Sequence, residues 1–105
     1  MPSDAATMER DAIIRLLREH ESELRAAGIV RLALFGSAAR REQTADSDID
    51  LLAALDSGRR LSLLDIIHLE NWLSDLLGRK VDLVEDSSLK PDIRRRAAKD
   101  SVRAF

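Results

Sequence analysis

Two carboxylates, Asp48 and Asp50, stand at the head of an apolar run in the stretch LALFGSAARREQTADSDIDLLAAL, and a Gly36–Ser37 pair precedes Asp48 by ten residues. Charge placed beside apolar chain is costly unless it is paired or bound to a metal, so the arrangement points to chemistry. Side chains alternate along a strand, which puts Asp48 and Asp50 on one face at its N-terminal end. Hard divalent cations such as Mg²⁺ take oxygen ligands in octahedral geometry and usually take substrate phosphate as well. Gly36 allows the backbone to approach a phosphate closely, and Ser37, opening a short helix, presents amide groups that favour an anion.

The elements that must position these residues follow from periodicity. Residues 7–27 predict an amphipathic helix, with Met8, Ile13, Leu16, Leu17 and Leu24 at three- and four-residue steps, Thr7 as its cap and Gly28 at its stop. IVRLALFG reads as a strand, SAARRE as one or two helical turns and QTADS as a polar loop. DIDLLAALD is a second strand, apolar on both faces after the aspartates, as a central strand requires. After a break at SGRR, LSLLDIIHLENWLSDLLG predicts a long helix with Leu63, Ile66, Ile67, Trp72, Leu73, Leu76 and Leu77 as its stripe and Gly78 at its end. RKVDLVED is a third strand, Ser87 and Ser88 lie in a loop, and Pro91 opens a last helix carrying Arg94, Arg95, Arg96, Lys99 and Arg103.

The fold class is therefore α/β, a small mixed sheet flanked by helices, in a single domain spanning residues 1–105. The short connection from Gly36 to Asp48 makes the first two strands antiparallel neighbours, with Gly36 and Ser37 beside the aspartates. The long helix permits parallel pairing of the second and third strands, whose N-terminal ends then coincide. Asp82 arrives beside Asp48 and Asp50. Three clustered carboxylates repel one another unless a cation neutralises them or one stays protonated. Two metals held by shared carboxylates would activate an attacking hydroxyl and steady a leaving pyrophosphate.

Composition narrows the partners. Lys and Arg number 17 against 19 for Asp and Glu, a net charge of −2 that gives no general attraction to nucleic acid. Aromatics are 3% of the chain, too few for stacking platforms along a single strand. The absence of cysteine excludes disulfides and thiolate metal sites. No apolar run is long enough to span a membrane, and the acidic, polar start MPSDAATMERD is unlike a secretory signal, which leads to the expectation of a cytoplasmic protein.

Gly36-Ser37, ten residues, Asp48-Ile49-Asp50 and then Asp82 in a following strand resembles the polymerase-beta-like nucleotidyltransferase superfamily. More narrowly, the stretch is similar to the minimal nucleotidyltransferases (MNT) that pair with HEPN-domain proteins in prokaryotic toxin–antitoxin systems. The resemblance covers nearly the whole chain and implies a polymerase-beta-like palm fold. It implies that Gly36 and Ser37 hold a triphosphate, that Arg40 contacts phosphate, and that Asp48 and Asp50 bind Mg²⁺ while Asp82 completes the site and helps to deprotonate the acceptor. The implied activity is AMPylation, the transfer of AMP from ATP, with two Mg²⁺ ions, to a hydroxyl, a tyrosine of a HEPN-domain toxin, which silences it. The chain departs from the pattern at Ala38, where members often carry a basic residue, and at Arg41, where they often carry Gly; neither is a metal ligand.

Other readings compete. DSDID imitates the start of a calcium loop at Asp46, Asp48 and Asp50, but the sixth and twelfth positions are Leu51 and Ser57 instead of Gly and Glu. Arg15 and His20, with four residues between them, mimic the ribonuclease motif of HEPN domains, which are all-helical, whereas this helix leads into strands. Arg94, Arg95 and Arg96 form a solvated face or a partner contact, and Trp72 is expected in the core. Once the sheet is built few residues remain for an acceptor-binding domain, so another chain is expected to complete the acceptor site. Two rivals remain: an antitoxin that neutralises by binding alone, and an enzyme that modifies a small molecule, as the kanamycin nucleotidyltransferases do.

Overall fold

The computed structural model describes residues 2–36 and 48–105. In chain order these form α1 (Pro2–Glu19), α2 (Glu21–Ala26), β1 (Ile29–Phe35), β2 (Ile49–Leu55), α3 (Leu63–Leu77), β3 (Val81–Glu85), a 3-10 turn (Asp86–Ser88), α4 (Pro91–Lys99) and β4 (Val102–Arg103). The sheet order is β3-β2-β1-β4. As the connections require, β2 runs antiparallel to β1 and parallel to β3. The expected helix SAARRE and loop QTADS lie outside the described residues.

Alternation divides the sheet into two faces. Leu32 and Leu34 of β1, Ile49, Leu51 and Ala53 of β2, and Val81 and Leu83 of β3 are buried in one core with Ile13, Leu17 and Leu24 of the N-terminal helices and Leu73 of α3. The opposite face carries Arg31, Ala33 and Phe35 of β1 across from Ala54, Leu52 and Asp50 of β2, with Asp82 beside Asp50 and Arg103 beside Ala33.

The helices differ from expectation in three places. The first helix begins at Pro2, which puts Thr7 inside it, and it breaks at His20, whose φ of −105° and ψ of 18° leave the helical region. Leu17 and Leu24, on either side of the break, are both fully buried. On α3, Leu73 is buried while Ile66, Leu69 and Leu77 pack against the core from its margin. Leu63, Leu64, Ile67 and Trp72 are exposed instead, Leu63 at 76%; α3 is apolar on more than one side, and helical spacing does not say which side docks. The Trp72 ring meets His20 edge-on, centroids 5.5 Å apart.

The third difference lies after Lys99, where α4 ends. Arg103 belongs to β4, not to the last helix, and pairs with β1 through Ala33. Beyond it Ala104 donates to the Leu32 carbonyl at 2.9 Å, and Leu32 donates to the Phe105 carbonyl at 3.2 Å. A two-residue strand is too short to show alternation, so the periodic pattern of the preceding helix simply ran on.

α3 is well terminated at both ends. Ser62 and Asp65 form a reciprocal capping box, and Gly78 closes the helix in the left-handed conformation at φ 69°. The same helix fixes β3. Ser74 accepts from the Val81 amide at 3.0 Å and Glu70 accepts from the Leu83 amide at 2.8 Å. Four residues apart on the helix, they hold two amides that flank Asp82 on the edge strand. Glu70→Ala leaves the Leu83 amide without this acceptor; it is expected to lower stability by about 1 kcal/mol and to speed hydrogen exchange selectively at Leu83, measured by amide exchange in the folded protein.

Candidate active site

The strand register brings three aspartates to one rim. Asp50 is the direct partner of Asp82 across the parallel pair, and Ile49 donates to the Lys80 carbonyl at 2.9 Å, locking the start of β2 against the entry to β3. Asp48 immediately precedes β2 and stays exposed, its carboxylate 3.9 Å from the Lys80 ammonium. On the other side Asp50 faces Phe35, the last residue of β1, so Gly36 turns away directly beside it.

Gly36 has a φ of 75°, and a Cβ built on it would stand 2.6 Å from Oδ2 of Asp50. Any other residue here meets two obstacles at once: left-handed backbone strain and the Asp50 carboxylate occupying its space. The glycine is thus required both by its turn and by the carboxylate that leans over it.

The electrostatics follow from this crowding. Asp50 titrates above its ordinary value, first because burial penalises its charged form, then because Asp82 and Asp48 lie near. A group in that position gains from a cation. Among the described residues no group of three His, Cys, Asp or Glu side chains is arranged to hold a metal ion by itself. Mg²⁺ characteristically uses one or two carboxylates and leaves its other positions to water and substrate phosphate. The open, all-oxygen rim of Asp48, Asp50 and Asp82 fits that ion.

Of the sequence-predicted site residues, Gly36, Asp48, Asp50 and Asp82 converge; Ser37 and Arg40, like Ala38, Arg41 and Asp46, lie outside the described residues. Sequence reasoning missed Lys80 and Glu70. Lys80 was legible: parallel pairing of Ile49 with Val81 sets the preceding residues, Asp48 and Lys80, side by side. Glu70 had no such signal, because its role rests on how α3 lies along β3.

The model of the nucleotidyltransferase domain family matches residues 14–104. The chain belongs to that family. Among its relatives, the Methanocaldococcus jannaschii chain MJ0126, bearing the name of a protein adenylyltransferase, is 45% identical over 92 residues, 86% of this chain and 92% of that one. Protein adenylyltransferase MntA of Thermococcus cleftensis is 40% identical over 98 residues, 92% of this chain and 97% of that one. A solved minimal nucleotidyltransferase superposes with a TM-score of 0.67 at 38% identity, over 89% of this chain and 86% of that one. A complex of tri-AMPylated Shewanella oneidensis HEPN toxin with MNT antitoxin shares the fold, with a TM-score of 0.60 at 20% identity over 95% of this chain and 71% of that one.

Two outcomes test the rim of this nucleotidyltransferase. A carboxylate raised in the folded state weakens the fold wherever it is ionised, and that penalty vanishes once pH falls below the ordinary value of 3.8. Asp50→Asn is therefore expected to raise the melting temperature at pH 7, the gain disappearing toward pH 3.5, as thermal melts across pH will show; millimolar Mg²⁺ should stabilise the unsubstituted chain and narrow the gap. Gly36→Ala is expected to cost about 1–2 kcal/mol for its backbone conformation alone, and more in total. Denaturant titration should recover only the steric excess in an Asp50→Ala background, since the left-handed strain remains.

Proposed function

We propose that the chain is an Mg²⁺-dependent protein adenylyltransferase that moves AMP from ATP to a tyrosine hydroxyl of a HEPN-domain toxin, acting as the antitoxin of that pair. The observation that carries the reading is the pairing of Asp50 with Asp82 over a glycine whose missing side chain makes room for the Asp50 carboxylate. The names of the relatives support the adenylyl group and the protein acceptor, and the fold shared with an MNT–HEPN complex supports the partner.

In the transfer, the acceptor oxygen forms a bond to the α-phosphorus of ATP, the bond from that phosphorus to the bridging oxygen breaks, and pyrophosphate leaves. Asp48, Asp50 and Asp82 would hold Mg²⁺, with two ions expected, and the metal when bound supplies positive charge to the phosphate oxygens. Asp82, between the two amides that α3 holds, helps in this reading to take the proton of the acceptor hydroxyl. Gly36 keeps its backbone unobstructed for the triphosphate, and Ser37 and Arg40 complete that contact in this reading. Lys80 lies 3.9 Å from Asp48 at the edge of the rim, both side chains exposed.

The test uses ATP labelled at the α-phosphate, Mg²⁺ and a lysate of the source cells. Label is expected on one HEPN-domain protein, and Asp48→Asn should reduce the rate by about 100-fold or more, beyond what loss of an outer-shell partner typically costs. Equal capture of the partner by both versions without label would replace transfer by neutralisation through binding. Neither label nor capture would move the acceptor to a small molecule.

A further inference from the structure

The face of the sheet that bears the carboxylates continues into a groove. Beyond Asp50, β2 presents Leu52 and then Ala54 on the same face, roughly 7 and 14 Å farther along at about 3.4 Å per residue. α4 stands over this part of the sheet, and the space between them is about 770 Å³. Its floor is small and apolar, Ala33, Leu52 and Ala54; its walls carry Arg31, Arg94, Arg95 and Arg103. The stripe that α4 turns to the sheet is Pro91, Arg94, Arg95 and Ala98, the i, i+3, i+4 and i+7 spacing of one helical face. A helix docked on a sheet carries large apolar residues at those positions. This one carries two arginines, and none of its 9 residues is buried.

A helix this short does not hold together in water without packing, so the groove calls for something that fills it. Its charge says what. Asp86 lies in the wall and reaches Arg94 at 3.4 Å, a carboxylate already seated on one of the guanidinium groups. Among the described residues, no carboxylate pairs with Arg31, Arg95 or Arg103. Exposed guanidinium groups over an apolar floor fit an extended peptide, whose side chains alternate: carboxylates rise to the arginine forks, and small apolar residues settle on Leu52 and the alanines. A nucleic-acid strand fits less well. Binding through phosphates draws on many contacts, whereas the groove offers four arginines, one of them shared with Asp86, in a chain of net charge −2. No aromatic ring lines it on which a base could stack.

Resting on the adenylyltransferase reading above, we infer that the groove binds an acidic stretch of the acceptor protein, about two to four residues from the side chain that receives AMP. The spacing follows from the strand. An extended segment laid along β2 has about the same rise per residue as β2 itself. With its acceptor hydroxyl at the rim, the second to fourth residues away then lie over Leu52 and Ala54, between the arginines. A carboxylate directly beside the acceptor residue is disfavoured, because there it would meet Asp50 and Asp82. The rim acts on a hydroxyl; the groove selects the sequence around it.

Two measurements on the full chain test this. They compare it with Arg95→Gln/Arg103→Gln in the groove and with Arg15→Gln/Arg60→Gln, also exposed but outside the groove, as a control of equal charge. The first is fluorescence polarisation with a labelled peptide that has a central tyrosine and Glu at the second and fourth positions on either side, against the same peptide with Gln there. The unsubstituted chain should bind the Glu peptide more tightly by about 10-fold or more; the control should keep that preference and the groove variant should lose it. Equal affinity for the two peptides would overturn the inference, as would a preference that both variants weaken alike, which reports only general charge. A single-stranded RNA of about eight nucleotides that binds more tightly than the Glu peptide, and does so through the same arginines, would overturn it in favour of nucleic acid. The second measurement is transfer of label from ATP labelled at the α-phosphate, with Mg²⁺ and each peptide below saturation. The Glu peptide should be labelled faster by about 10-fold, and the groove variant should label both at the slower rate. Label at equal rates would overturn the inference and leave the adenylyltransferase reading standing. A binding preference with label on neither peptide would support the groove and count against that reading instead. A melting temperature within a few degrees of the parent shows that the groove variant is folded; should it not be, Arg95→Glu replaces it and should reverse the preference toward the Gln peptide.

Discussion

Like charges held at fixed spacing govern the rest of this molecule. Asp50 cannot move away from Asp82, because the backbone on either side of it is pinned by Ile49 and Leu51, both fully buried, and paired on both flanks of β2. It cannot fold back over β1 without meeting the Gly36 backbone. The repulsion is built in by sheet register, and a cation is the natural agent to relieve it. Crowding of this kind favours a bound cation, which would relieve both the burial and the repulsion that raise Asp50.

The two faces of the sheet divide the labour. One is sealed by α1, α2 and α3 and supplies rigidity. The other carries the carboxylates at one end and the arginines of β1, β4 and α4 at the other. This explains why β2 is apolar on both sides after Asp50 even though only one side faces the main core. Leu52 and Ala54 instead line a groove between the sheet and α4.

Much of this was legible in the sequence because it rests on periodicity and on connection length. The alternation of DIDLLAAL, the short Gly36–Asp48 link and the crossover length of α3 were enough to place Asp82 beside Asp50. What escaped were features set by docking angle. Trp72 and Leu63 sit at helical spacing and yet face outward, because the side of α3 that meets the sheet is chosen by Leu73 together with the hydrogen bonds of Glu70 and Ser74 to β3. β4 escaped because two residues carry no period. The arginines of α4 were visible as a charged run, but only the sheet topology reveals that Arg31 and Arg103 oppose them across one groove.

The hydrogen bonds that Glu70 and Ser74 make to β3 have a counterpart on the far side of the sheet, where residues 102–105 take up the free backbone groups of β1 around Leu32 and Ala33. β3 and β4 are the borders of the sheet; side chains of α3 take up two amides of β3, and Arg18 donates to the Ala104 carbonyl just past β4. Such borders are where a foreign strand would otherwise add, by self-association or by capture of a partner's extended segment. Borders whose backbone groups are partly taken up in this way template further strands less readily. Contacts made through side chains then depend on shape and charge, which can vary residue by residue without disturbing the sheet.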